Sequence, residues 1–255
     1  MHCVIPLAGP QLSHPRHGLI PKYPVDGVPL LRRTLESRAW WLAGQLGSRD
    51  LIFVLREGAE LREIRAAIEN WFAGCRIMVL SQPTQGAILS ALAGAALVSE
   101  LDAPLIVDLA DIIYEADTDI AASFADDPSL GALVPYFEAN DACYSYLTFK
   151  SDGFVAFAAE KKVISSHASA GTYIFRSAGH FIAAAGRSLA EFRDELTVGD
   201  ALFVCPALNS VVRQGMRVSP FEVRNVRSVS KLLHAADSVR AGKPSATNFA
   251  KSIAS

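Results

Sequence analysis

Short, continuous apolar runs alternate with stretches of helical periodicity through the first part of this chain, and that alternation constrains its fold more than any other feature. HCVIPL (2–7), DLIFVLR (50–56), CRIMVL (75–80) and PLIVDLA (104–110) read as strands. Between them, residues 29–45 read as a helix. Leu61, Ile64, Ile68 and Trp71 recur at helical spacing within 59–72, and GAILSALAGAALV (86–98) is a small-residue helix suited to close packing on a sheet. Strands and helices in this order predict a parallel sheet with helices on both faces. In such sheets ligands bind beyond the carboxyl ends of the strands, which directs the search to 8–22, 81–86 and 108–115.

The second half changes character. GALVPYF (131–137), YSYLTFK (144–150), FVAFAAEKK (154–162) and TYIFRS (172–177) are strand-like, and Lys150-Ser151-Asp152-Gly153 gives the middle pair a hairpin turn. Helices are expected at 178–190 and 199–214, a strand at MRVSPFEV (216–223), a closing helix at 229–242 and a polar tail at 243–255. With 255 residues, 51% hydrophobic, the chain suffices for one unit over 1–242 with a second lobe growing out of the sheet.

The net charge is −2 without a Lys/Arg block, so a nucleic-acid surface is not favoured. Cys3, Cys75, Cys143 and Cys205 form no C-x-x-C pair, and three of them lie in apolar runs, as expected of a reduced, cytosolic protein. MHCVIPLAGP lacks the basic start of a signal peptide, and no apolar run approaches a membrane span. His14 and His17 form H-x-x-H, but Pro15 opposes the helix that would aim both at one metal.

PKYPVDGVPLL (21–31) displays a lysine unusually rigidly. Pro21 and Pro24 keep Lys22 extended, Asp26-Gly27 makes a tight turn, and Pro29 suits the start of a helix. Taken alone, Lys22 reads either as a solvated surface lysine or as a fixed point charge for an anion. Asp111, past the end of an apolar strand, reads as a ligand-site carboxylate or as a helix cap. Asp108, inside that strand, reads as a carboxylate bonded to backbone or as an outer-sphere metal partner. Glu160-Lys161-Lys162 reads as a site pair or as the charged end of a strand.

In order along the chain, VIPLAG (4–9), PKYPVDGVPLL, QPTQGAILSAL (82–92), LIVDLADIIYEAD (105–117), SYLTFKSDGFVAFAAEK (145–161) and ISSHASAGTYIF (164–175) resemble the segments of the nucleotidyltransferase (sugar-nucleotide pyrophosphorylase-like) family. FVCPALNSVVRQG (203–215) resembles a Pro-x-x-Asn helix of its capsule- and cell-surface-associated branch. The resemblance implies a three-layer α/β/α, Rossmann-like (GT-A-like) fold with a mostly parallel mixed sheet. Residues 1–130 would form the nucleotide-binding half and 131–242 the acceptor-binding half. It also implies transfer of a nucleoside monophosphate from an NTP to a phosphorylated sugar or sugar-like acceptor, with release of pyrophosphate, in surface-polysaccharide precursor synthesis. Lys22 would hold the triphosphate, Asp111 would bind Mg²⁺, and Gly9 would let backbone amides approach phosphates. Gln82, Thr84 and Gly86 would meet the base and ribose. Glu160, Lys161 and Asn209 would face the acceptor.

The chain departs from the family pattern at three places. GPQLSHPRHGLI lacks a second early glycine, which leaves Arg16 as the arginine available to supplement the loop. Ala110-Asp111 stands where relatives carry Gly-Asp. RNVRSVSK replaces a Gly-Thr-Pro segment, and a second metal carboxylate is sought at Asp194 or Asp200. Two other readings stay open: a non-catalytic nucleotide- or ligand-binding homologue on the same fold, and a nucleotide-sugar glycosyltransferase.

Overall fold

The structure, a computed structural model, describes residues 1–229 and 233, so the expected closing helix beyond Val229 and the tail 243–255 lie outside the described residues, Leu233 apart. Its first half is built on four parallel strands, β1 (His2–Pro6), β2 (Leu51–Arg56), β3 (Arg76–Leu80) and β4 (Leu105–Asp108), in the order β3-β2-β1-β4. Residues on these strands are apolar on both faces because both faces are covered. Val4, Ile52, Val54, Leu105 and Val107 point into one core, while Cys3, Ile5, Leu51, Phe53 and Ile106 point into the other. Helices α1 (Leu30–Glu36), α2 (Ala39–Leu42) and α3 (Leu61–Trp71) cover the second core, and α4 (Ala87–Ala95) lays Ile88, Ala91 and Ala95 on the first. Fully buried side chains such as Phe53 contribute about 1.5–3 kcal/mol each.

After β4 come β5 (Ile112–Glu115), α5 (Ile120–Asp126), β6 (Leu130–Glu138), β7 (Tyr146–Phe149), β8 (Val155–Ala159), β9 (His167–Ser169) and β10 (Thr172–Phe175). The antiparallel run β8-β7-β9-β6-β10 joins the parallel half where β10 pairs with β4, setting Thr172 directly opposite Asp108. Helices α6 (Ala178–Glu191), α7 (Arg193–Leu196) and α8 (Ala207–Arg213) follow; β11 (Arg217–Glu222) lies parallel to β6, and β12 (Arg224–Ser228) pairs with β5. The result is the expected mixed, three-layer α/β/α architecture around a ten-stranded sheet. Among the described residues no helix is long and apolar enough to cross a membrane.

The structure departs from the expectations in several segments. β5, β9 and β12 are strands, and α5 is a helix, that the sequence pattern did not mark. The helix expected over 199–214 is a hairpin, Thr197–Val198 with Ala201–Leu202, followed by α8, because Gly199 turns the chain at φ 60° and Pro206 starts the helix afresh. The helix expected over 29–45 breaks at Arg38, whose backbone is extended at φ −70° and ψ 139°.

That break serves a buried ion pair. Arg38 and Asp108 are 1% and 0% exposed. Arg38 Nε donates to Asp108 Oδ2 at 2.7 Å, while Nη2 donates to Asp108 Oδ1 and to the Ile112 carbonyl, both at 3.0 Å. Its guanidinium carbon lies 3.8 Å from the centre of the Tyr114 ring. Asp108 also accepts from Thr172 Oγ1 at 3.1 Å, and Tyr114 donates to Thr172 at 2.9 Å. A continuing helix would hold Arg38 on its own surface; the extended residue lets the side chain turn into the sheet.

A buried charge left without its partner is far costlier than the intact pair is stabilising. Arg38→Met should therefore lower the unfolding free energy by about 3–5 kcal/mol in urea denaturation. A change within experimental error would show that the pair is not what secures the end of β4.

Candidate functional site

The candidate site begins where β4 ends. Asp108 Oδ1 accepts the Ala110 amide at 2.8 Å, and Ala110 adopts φ 54°, a left-handed conformation uncommon outside glycine. This turn carries the chain from the buried Asp108 to Asp111, which is exposed. Leu109 donates its amide to the Gly171 carbonyl at 2.9 Å. Gly171 has φ +74°, and a Cβ there would lie 2.7 Å from Asp111 Oδ1. Glycine is thus required twice over, for the turn and for the space beside the carboxylate.

Asp111 is exposed to solvent, with dense protein around it. Desolvation by the surrounding protein, and then the Asp108 charge, push its carboxyl up to about 6. The segment standing in place of the Gly-Thr-Pro motif supports it from behind: Val229 donates its amide to the Asp111 carbonyl at 3.0 Å. β12 is pinned by Arg224 to Asp117, by Asn225 to Glu115 at 2.7 Å and by Arg227 to Asp26 at 2.9 Å.

Glu160, just past β8, is half-buried and accepts a hydrogen bond from Ser145 Oγ. Burial pushes its carboxyl up to about 7, and the Asp111 charge adds a smaller rise. A buried polar layer lies behind it: Ser169 Oγ donates to Tyr173 at 3.4 Å, and the Gly171 amide donates to Ser169 at 3.3 Å. Cys205 closes this layer, its thiol pushed up to about 12 by burial and then by the Glu160 charge. Lys161 takes φ 48° and sets its ammonium 4.6 Å from the centre of the Phe203 ring. A left-handed lysine is a strained position, of the kind that clusters at functional sites.

The 82–86 segment is stitched to the same region. Leu202 donates its amide to Gln85 O at 2.8 Å, and Arg193 donates to the Gln85 side chain at 2.9 Å. Gly86, at φ +143°, packs so closely that a Cβ would lie 2.1 Å from the Leu202 carbonyl oxygen. Thr84 Oγ1 bonds the Gly86 carbonyl at 3.0 Å and Ser90 at 2.7 Å, while Gln82 is exposed. The hairpin that leads into Phe203 therefore bridges the 82–86 segment and the Glu160–Lys161 pair.

Of the expected site residues, Gly9 has φ −73° with no protein atom within 4 Å of a Cβ position, so the protein's own packing does not call for glycine there. Gly86 owes its identity to Leu202, and Thr84 has its hydroxyl engaged within the chain. Asn209 is 2% exposed and does not face a cleft. Its Oδ1 accepts the Ala158 amide at 2.8 Å, and its Nδ2 donates to the Ala158 carbonyl and to Glu195, both at 2.9 Å, which closes the outer edge of β8. Asp108 is buried and held by Arg38, Thr172 and the Ala110 amide.

Lys22, expected to be held extended between Pro21 and Pro24, instead ends a single 3-10 turn because the Tyr23 amide closes onto the Ile20 carbonyl, and its ammonium pairs with Glu63 of α3. Arg16 is exposed in the turn of the hairpin Ser13–His14 with Gly18–Leu19, its backbone amide donating to His14 Nδ1 at 3.2 Å. Asp194 and Asp200 are both exposed, in the first turn of α7 and in the 198–201 turn. No group of three His, Cys, Asp or Glu able to hold a metal ion occurs among the described residues. Arg38, Ser145, Gly171, Thr172 and Phe203 are the site residues that sequence reasoning missed. Gly171 alone carried a signal, as a glycine between two strand-like runs.

No family model matches the chain, and no curated protein does. Solved structures do. The nucleoside-diphosphate-sugar pyrophosphorylase from Vibrio cholerae RC9 is similar with a TM-score of 0.73 at 16% identity, over 94% of this chain and 100% of that one. The inositol-1-phosphate CTP transferase from T. maritima is similar with a TM-score of 0.64 at 12% identity, over 96% of this chain and 98% of that one. A UDP-glucose pyrophosphorylase complexed with UDP-glucose is similar with a TM-score of 0.64 at 16% identity, over 95% and 99%. At these identities the likeness is one of fold: the chain has the α/β fold that these proteins share, along almost its whole described length.

Proposed function

We propose that this chain is a nucleotidyltransferase that moves a nucleoside monophosphate from an NTP to a phosphorylated sugar or sugar-like acceptor. The observation that carries the reading is Asp111, an open carboxylate set beyond the end of a central strand by a frame that withholds Asp108. A phosphate oxygen of the acceptor would attack the α-phosphorus in line, and the bond to the departing pyrophosphate would break. Such chemistry asks the protein mainly for positioning and charge neutralisation.

Magnesium takes one or two carboxylates plus substrate phosphates and water, and it seldom needs a cage made wholly of protein. As an exposed carboxylate, Asp111 fits that description. When bound, the ion would neutralise charge on the triphosphate. Lys22 would contact phosphate after leaving Glu63, with Arg16 supplementing the loop and Gln82 the exposed member of the base-binding segment. Glu160 and Lys161 would face the acceptor. The Pro206–Asn209 segment is the support for placing the product among surface-polysaccharide precursors. The second reading, a binding homologue without turnover, is favoured by the lone open carboxylate at Asp111.

Mixing the protein with NTP, Mg²⁺ and sugar phosphates should release pyrophosphate. Asp111→Asn should abolish that release while the melting temperature stays within a few degrees. Full turnover by Asp111→Asn would refute the assignment, and consumption of a sugar nucleotide without pyrophosphate would mark a glycosyltransferase.

Glu160 supplies a check through stability. Its folded carboxyl, near 7, lies above the ordinary value of 4.5, so the folded state holds the proton more tightly. The stability this contributes is complete below pH 4.5 and is lost as the pH rises through about 7. Glu160→Gln should therefore melt increasingly above the wild type between pH 5 and pH 8. A pH-independent difference would show that Glu160 is not held in a desolvated site.

A further inference from the structure

The loop from Gly9 to Lys22 is tied to α3 at two carboxylates spaced by about one turn. Ser13 Oγ donates to Glu60 Oε1 at 3.2 Å, and the Lys22 ammonium pairs with Glu63. Glu60 directly precedes α3 and Glu63 lies in its first turn, where unpaired amides and the helix dipole already favour a negative charge. Lys22 has its charge committed to Glu63.

The base of this lysine is fixed. Pro21 is buried, Tyr23 donates its amide to Ile20 O at 3.0 Å, and Leu30 donates its amide to Tyr23 O at 2.8 Å. Ile20 and Tyr23 pack on a small core of Val25, Leu30 and Ile113. The backbone cannot carry Lys22 elsewhere without disturbing these contacts, so any new partner must be met by a swing of the side chain. The pair itself is open, with Lys22 and Glu63 side chains 41% and 59% exposed, and exposed ion pairs are weak. A polyanion can displace such a carboxylate.

We propose that Glu63 gates polyphosphate binding by holding the Lys22 ammonium until a triphosphate takes it. The proposal rests on Lys22 being a phosphate contact, and it adds Glu63 as the residue that sets the affinity of that contact. Glu63 lowers the affinity for phosphate chains in general, whatever base they carry. The loop stays in place on α3 throughout; only the lysine side chain changes partner.

Titration calorimetry of the full chain with inorganic tripolyphosphate, without added metal, tests the gate apart from base and acceptor recognition. Glu63→Gln should bind about two- to five-fold more tightly than the wild type, the range set by the strength of an exposed pair. Lys22→Ala should bind more weakly, and adding Glu63→Gln to Lys22→Ala should bring no gain. Equal or weaker binding by Glu63→Gln, with Lys22→Ala still impaired, would overturn the gate alone and leave Lys22 as a phosphate contact. A gain that persists without Lys22 would reduce Glu63 to a general repulsive charge and also overturn it. No binding by the wild type, or equal binding by Lys22→Ala, would remove the phosphate role of Lys22 and the gate with it.

Discussion

The buried pair of Arg38 and Asp108 is the constraint on which the geometry of the candidate site depends. Desolvating two charges is unfavourable, and their attraction offsets this only when the remaining hydrogen-bonding groups are also satisfied. Here the carboxylate accepts from Arg38, Thr172 and the Ala110 amide, and the guanidinium adds the Ile112 carbonyl and the Tyr114 ring, while its Nη1 stays buried without a hydrogen-bond partner. One interaction thereby joins the α1–α2 junction, the end of β4, the start of β5 and the first residue of β10. Because Asp108 holds the Ala110 amide, the same interaction fixes the turn that delivers Asp111 to the surface. Two aspartates three positions apart have opposite fates for this reason.

A second constraint fixes the 82–86 segment against the hairpin before α8. Gly86 meets the Leu202 carbonyl at a distance that excludes any side chain, and Leu202 leads directly to Phe203, over which Lys161 rests. On the far side, Asn209 completes the hydrogen bonding of Ala158 on β8 and reaches Glu195, which Arg213 also pairs. Gly86 and Asn209, which looked like ligand contacts from their motifs, thus join the 82–86 segment to the hairpin before α8 and join α8 to β8.

Much of the parallel half was legible because β1, β2, β3 and β4 are continuous apolar runs between periodic helices, and Asp111 was legible as the carboxylate following the last of them. Arg38 was not. In RRTLESRAWW it fits a helical surface, and only a partner seventy residues away explains why the helix opens there. The hairpin before α8 was hidden by the apolar run ALFVCPAL, although Pro206 marked the true helix start. Gly171 and Ser145 act through cross-strand neighbours, and strand register is not written in any single segment. Lys22 lies in a 3-10 turn and not in the extended stretch that its flanking prolines suggested, and its partner Glu63 is on a helix that local pattern cannot place beside it.

The central claim is a division of labour: Asp108 belongs to the frame and Asp111 to the ligand. A crystal structure with a non-hydrolysable nucleotide and Mn²⁺ tests it most directly. The account places the metal on an Asp111 oxygen and on the nucleotide phosphates, with the Arg38–Asp108 pair intact behind it. Metal bound to Asp108, with Arg38 displaced, would contradict it.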